Sequence, residues 1–122
     1  NAPPLLPDVL RPPSLARLTE KKDRKELLLQ GEKRVSAVMV LYFRENHLHR
    51  SRYAIYTGKR LGGAVARNRI KRLFREVLYR KKKLLRVYDF VIVPLAGVQE
   101  MDGQTASMQI ERVFVECGIL AG

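Results

Sequence analysis

Cysteine occurs once in these 122 residues, tryptophan not at all, and no run approaches the roughly 18 consecutive apolar residues that a membrane-crossing helix requires. The single Cys117 excludes an intramolecular disulfide and any zinc site built from several thiolates, and it reads as a small core hydrophobe on a C-terminal helix. The first residues lack the basic patch and apolar run of a secretory signal. With the lone thiol this leads us to expect a reducing, cytoplasmic setting. Histidine is scarce as well: His47 and His49 stand beside a turn, without the helical spacing of a zinc pair, and no paired carboxylates offer acid–base chemistry.

The scarcest commodity is negative charge in one place. Between Lys59 and Arg86 there are twelve basic residues and one acid, Glu76, so this window holds +11 of the net +12. The rest of the chain is nearly neutral. Repulsion inside such a window opposes folding, and its usual use is the attraction of a polyanion. Nucleic acid is the first candidate and an anionic membrane surface the second.

What is present suits one globular domain: 46% hydrophobic residues in a length typical of a single core. Five of the six prolines fall within residues 1–13, where they favour an extended arm, so the domain is expected over 14–122. Thr19 is placed to cap a short helix over Glu20–Leu29, with Gly31 ending it. Residues 34–43 read as one strand, Glu45–His47 as a turn, and Ser51–Thr57 as a strand returning antiparallel to the first, with a further short strand possible near Leu48. Tyr88–Pro94 reads as a buried strand, and Thr105–Cys117 as a last helix. The expected fold class is α+β: one small sheet packed with helices.

After Gly62 and Gly63 the helical period is clear. Ala66, Ile70, Leu73, Phe74, Val77 and Leu78 share one arc of about 140°, while Arg67, Asn68, Lys71, Arg72 and Arg75 lie opposite, with Arg67, Lys71 and Arg75 spaced i, i+4, i+8. Exposed helices ordinarily mix both signs so that i, i+4 pairs help one another, and one glutamate cannot do that here. Guanidinium groups suit bidentate contact with phosphate. The apolar arc is needed for the core, which disfavours membrane binding. The preceding Gly58–Gly63 segment lacks the order of a nucleotide-binding P-loop, though Lys59 can still meet an RNA phosphate.

The segment Lys59-Arg60-Leu61-Gly62-Gly63-Ala64-Val65-Ala66-Arg67-Asn68-Arg69-Ile70-Lys71-Arg72-Leu73-Phe74-Arg75-Glu76 closely resembles the signature of the bacterial ribonuclease P protein subunit. Weaker similarity runs from Arg17 through Gly31, Val40–Tyr42 and Asp89–Ile92. The resemblance implies an α-β sandwich of ribosomal-protein type, a mixed sheet with a left-handed β-α-β crossover in place of the usual right-handed one. It implies a subunit that binds the catalytic ribonuclease P RNA and precursor tRNA to assist removal of the 5′ leader, an endoribonuclease whose phosphodiester hydrolysis is carried by RNA with Mg²⁺ and not by protein side chains. Lys59, Arg60, Arg67, Asn68, Arg69, Lys71, Arg72 and Arg75 then fall on RNA-binding positions, and Arg17, Arg24, Leu28 and Tyr42 on the cleft that receives the single-stranded leader.

That cleft departs from the family pattern. Arg24 and Leu28 stand where phenylalanines are typical, and Tyr56-Thr57-Gly58 where small residues and Ser are more usual. An Arg plane can stack on a base, whereas Leu offers only apolar contact. The departure motivates an alternative, a ribosomal or chaperone-type RNA-binding protein on the same scaffold without leader recognition.

Overall fold

A computed structural model describes residues 14–48, 50–80 and 87–120. The proline-rich arm at 1–13, His49 and the lysines at 81–83 lie outside them. The order is β1 (Ser14–Arg17), α1 (Lys21–Gln30), β2 (Glu32–Val35), β3 (Met39–Glu45), β4 (Arg50–Ile55), α2 (Ala64–Arg80), β5 (Tyr88–Pro94) and α3 (Gly103–Glu116), with short 3-10 turns at Lys59–Leu61 and Ala96–Glu100. The α+β expectation holds: the strands form one mixed sheet in the order β1-β4-β5-β3-β2.

The central strand β5 is the run Tyr-Asp-Phe-Val-Ile-Val-Pro, buried from Tyr88 to Ile92. Alternate residues serve opposite faces. Tyr88, Phe90 and Ile92 join Met39, Leu41, Phe43 and Tyr53 beneath α2 and α3, which supply Ile70, Phe74, Val77 and Leu78 and then Ala106, Ile110, Val113 and Phe114. On the other face, Val91 and Ala54 meet Leu18 and Leu27, with Tyr42 and Val93 alongside. Leu27 is the only buried residue of α1, so this thin helix covers only part of its face. No helix among the described residues is long and apolar enough to cross a membrane.

Three expectations need correction. Residues 34–43 are two strands, because the Ser36 hydroxyl accepts from the amides of Val38 and Met39 and donates to the Met39 carbonyl, turning the chain without Gly or Pro. β3 and β4 do not pair with each other, since β5 lies between them, antiparallel to β3 and parallel to β4. Asn46 explains the divergence: its amide donates to the Val87 carbonyl and its side chain to Asp89, carrying β3 onward along β5. Third, Glu20 and not Thr19 occupies the N-cap of α1, and the Thr19 carbonyl instead accepts from Arg24 at 2.7 Å. Leu48 lies in a bend, and no further strand forms at that residue.

The connection β4–α2–β5 is the crossover between parallel neighbours, and it seats the basic helix on the sheet. Gly62, at φ +112°, makes the turn into that helix, a backbone conformation that L side chains rarely adopt.

Candidate nucleic-acid interface

The apolar arc of α2 decides which way its cations point. Ile70, Phe74, Val77 and Leu78 are buried and Ala66 and Leu73 half-buried, which leaves Asn68, Arg69 and Arg72 exposed, whereas Arg67, Lys71 and Arg75, expected opposite the apolar arc, lie half-buried on its flank because Arg67 falls between Phe74 and Leu78 on the helix wheel. The helix runs back along β4. Its first turns and the end of that strand enclose a groove of about 460 Å³, lined by Tyr56, Thr57, Gly58, Arg67, Asn68 and Lys71. Arg69 and Arg72 line a different groove of about 480 Å³, on the other flank of α2, above Leu73, Val98, Met101 and Ala106. Arg60 flanks a third hollow with Leu61, Val93 and Pro94, and Lys59 is exposed in the same turn. The eight predicted RNA-binding residues therefore surround the helix on both flanks.

Four acids are committed to arginines off this helix. Arg44 pairs with Glu26 at 2.9 Å, Arg52 with Asp89 at 2.6 Å and with Asp23 at 3.3 Å, while Arg34 and Arg112 share Glu116. Among the described residues no ion pair reaches Lys59, Arg60, Arg67, Arg69, Lys71, Arg72 or Arg75. The Nε atoms of Arg67 and Arg75, and that of Arg24, are buried without a hydrogen-bond partner. Four arginines away from α2 are neutralised while these seven cations of the helix and its leading turn are left without an ion pair among the described residues, a distribution suited to an external polyanion.

The four predicted cleft residues do not stay together. Tyr42 lies on the α1 face of the sheet, with the Lys33 ammonium 5.8 Å from its ring centroid. Arg24 is on the same side, held by the Leu18 and Thr19 carbonyls, with its guanidinium 5.8 Å from the ring centroid of Tyr56. Leu28 is 37% exposed beside them. Arg17 belongs to the opposite face: it is the register partner of Tyr53 and lies over that ring at 5.7 Å, beneath α2. Tyr56 was missed as a site residue, although it continues the alternation of Arg52 and Ala54 and so had to share the face of α1. Its ring supplies an aromatic surface where Arg24 and Leu28 replace the expected phenylalanines.

Tyr53 and Cys117 are held away from their ordinary ionisation. Burial, then the hydrogen bond to the Tyr79 hydroxyl, pushes the Tyr53 phenol up to about 12. A raised value means that the neutral phenol stabilises the fold fully below its unfolded pKa of about 10, and that this contribution is lost as pH rises through about 12. A phenolate absorbance titration should therefore show a late step near pH 12, with denaturant stability declining from about pH 10 upward. A tyrosine titration complete by pH 11 would contradict this environment. Burial also raises the Cys117 thiol, which packs against the core at the end of α3. Among the described residues no three His, Cys, Asp or Glu side chains gather as a metal site.

The family model for Ribonuclease P matches residues 13–118. The ribonuclease P protein component of Streptococcus agalactiae is 34% identical over 104 residues, covering 85% of this chain and 95% of the relative. That of Streptococcus mutans is 34% identical over 98 residues, covering 80% and 82%. The RNase P protein from Thermotoga maritima superposes with a TM-score of 0.73 at 26% identity, over 80% of this chain and 93% of that one. The Staphylococcus aureus protein, at 24% identity, shares the fold with a TM-score of 0.79 over 85% of this chain and 96% of its own. These relatives favour the tRNA-processing reading over a ribosomal or chaperone role. A match that begins before β1 and ends after α3 takes in both faces of the sheet and the cation-rich helix, so the chain belongs to the ribonuclease P protein family.

Proposed function

We propose that this chain acts as the protein subunit of ribonuclease P in the cytoplasm, docking on the catalytic RNA through α2 and the Lys59–Leu61 turn and assisting removal of the 5′ leader from precursor tRNA. The observation that carries the reading is where the ion pairs fall: acids pair with Arg34, Arg44, Arg52 and Arg112, and none among the described residues pairs with Arg67, Arg69, Lys71, Arg72 or Arg75. RNA phosphates are the missing partner. Arg67, Asn68, Lys71 and Arg75 meet one backbone segment along β4, and Arg69 and Arg72 meet another across the helix. Lys59 and Arg60 extend the contact past the helix start.

Hydrolysis belongs to the RNA subunit with Mg²⁺. On the chain itself, Asp23, Glu26, Asp89 and Glu116 are each engaged by arginine, and no three His, Cys, Asp or Glu side chains gather among the described residues. The chain's own part is to lower the repulsion between two RNAs and to grip the leader. Tyr42, Arg24, Leu28 and Tyr56 form the α1-face surface for a single-stranded leader, with the Arg24–Tyr56 pair as its aromatic element. Arg17 stands outside that surface.

Leader cleavage by a bacterial ribonuclease P RNA at limiting Mg²⁺ should accelerate at least about tenfold when the chain is added, and the effect should shrink as Mg²⁺ is raised. Cleavage at the same rate with and without the chain would defeat the reading.

A further inference from the structure

Among the described residues, the helix row that begins with Arg67 carries an aromatic side chain at its fourth position. Arg67, Lys71, Arg75 and Tyr79 succeed one another at four-residue steps over about 18 Å of α2. Tyr79 is 45% exposed although it is a large aromatic residue. Its hydroxyl lies 3.3 Å from that of buried Tyr53, and the two rings meet edge to face at 6.2 Å, so the ring is fixed in place. Arg17, reaching from β1, lies 5.7 Å from the centroid of the same Tyr53 ring, and Arg75 stands one turn before Tyr79 on α2, both acting electrostatically on the Tyr53 phenol. Neither has an ion-pair partner among the described residues, and the Arg75 Nε is buried without any acceptor.

A tyrosine serving only the core would be covered. A plain solvated helix face would not set an immobilised ring in a row of unpaired cations with a further arginine supplied from an edge strand. A preorganised aromatic flanked by guanidinium groups matches an unstacked nucleobase with its phosphates: the ring offers a π-face, and the arginines meet the charge on either side. A fully paired helix offers phosphates but no free base, so the match is to an unpaired nucleotide.

We propose that Tyr79, with Arg17 and Arg75, is a stacking platform for one unpaired nucleotide of the bound RNA, on the helix row and remote from the Lys59–Gly63 turn. The proposal rests on the RNA reading above and adds a second recognition point, on the face of the sheet opposite the leader surface. Arg17 thereby takes its place beside α2, where the fold puts it.

The test compares two RNA hairpins of equal phosphate number, one fully paired and one with a single extruded nucleotide, titrated with the full chain at about 0.3 M salt to mute the phosphate contribution. Wild type should prefer the bulged hairpin by about tenfold. Tyr79→Ala and Tyr79→Leu should bind both hairpins alike, Tyr79→Phe should retain most of the preference, and Arg67→Ala/Lys71→Ala should weaken both hairpins equally while keeping it. The leucine and phenylalanine variants separate loss of stacking from loss of packing, because both fill the space. Equal binding of the two hairpins by wild type, or a preference that survives Tyr79→Leu, overturns the platform and leaves the RNA interface standing. Failure to bind either hairpin even at low salt overturns both.

Discussion

Replacing Arg67, Lys71 and Arg75 by alanine together should cut the affinity for ribonuclease P RNA about 100-fold at 0.1 M salt and leave it almost unchanged as salt approaches 1 M. The size follows from counterion release. Each phosphate contact contributes about 0.7 to 0.9 to the slope of log K against log salt, so losing three flattens it by about 2 to 3. Over the decade from 1 M down to 0.1 M that difference in slope is the difference in log affinity. The fold should survive, because these side chains lie on the helix flank while Ile70, Phe74, Val77 and Leu78 hold α2 to the sheet. Relief of like-charge repulsion should if anything raise the unfolding midpoint slightly. Affinity measured against salt, with stability in denaturant alongside, checks both halves. An unchanged slope would mean that the row does not meet phosphates.

How far this interface can be read from the sequence depends on the range of the forces that build it. The arc of α2 was legible because a 3.6-residue period is a local property, and the same holds for Ala106, Ile110, Val113 and Phe114 on α3. The run Tyr88–Pro94 was legible as a buried strand because apolar side chains must cover both faces of a central strand. Strand order was not legible. Nothing near Arg50 announces that β5, almost forty residues later, will separate it from β3. β1 is only Ser-Leu-Ala-Arg, too short for alternation to register, and it exists because β4 offers it a free edge. The family resemblance groups Arg17 with Arg24, Leu28 and Tyr42, and only the pairing of β1 with β4 gives it the parity that sends it to the α2 face. Tyr79 hid in plain sight, four residues beyond Arg75, because its meaning depends on Tyr53 and Arg17, which belong to two different strands.

Arg52→Ala should destabilise the protein by about 3 kcal/mol, a fall of about 10 °C in Tm, while leaving the salt dependence of RNA binding intact at temperatures where the variant is folded. Arg52 is the one arginine that ties together both strands of the crossover and the first helix. Its Nε and one Nη donate to the two oxygens of Asp89 at 2.9 and 2.6 Å, and the other Nη reaches Asp23 of α1 at 3.3 Å. Asp89 is only 7% exposed, and without Arg52 its carboxylate would keep the Asn46 amide, at 2.7 Å, and lose its countercharge. An uncompensated buried charge, more than the missing contact, produces the loss. It follows that Arg52→Met/Asp89→Leu, which removes both charges together, should recover more than half of the stability lost by Arg52→Ala, even though it deletes more hydrogen bonds. The remaining deficit measures what the arginine does for α1, since Asp23 would then be unpaired and the helix held by Leu27 and the Arg44–Glu26 pair. Leader grip should suffer in both variants, because Arg24 follows Asp23 on that helix and lies over Tyr56 only while α1 is docked. Urea denaturation of the three proteins separates the charge effect from the anchoring effect, and a single-variant loss below about 1 kcal/mol would show that Arg52 and Asp89 behave as an ordinary surface pair.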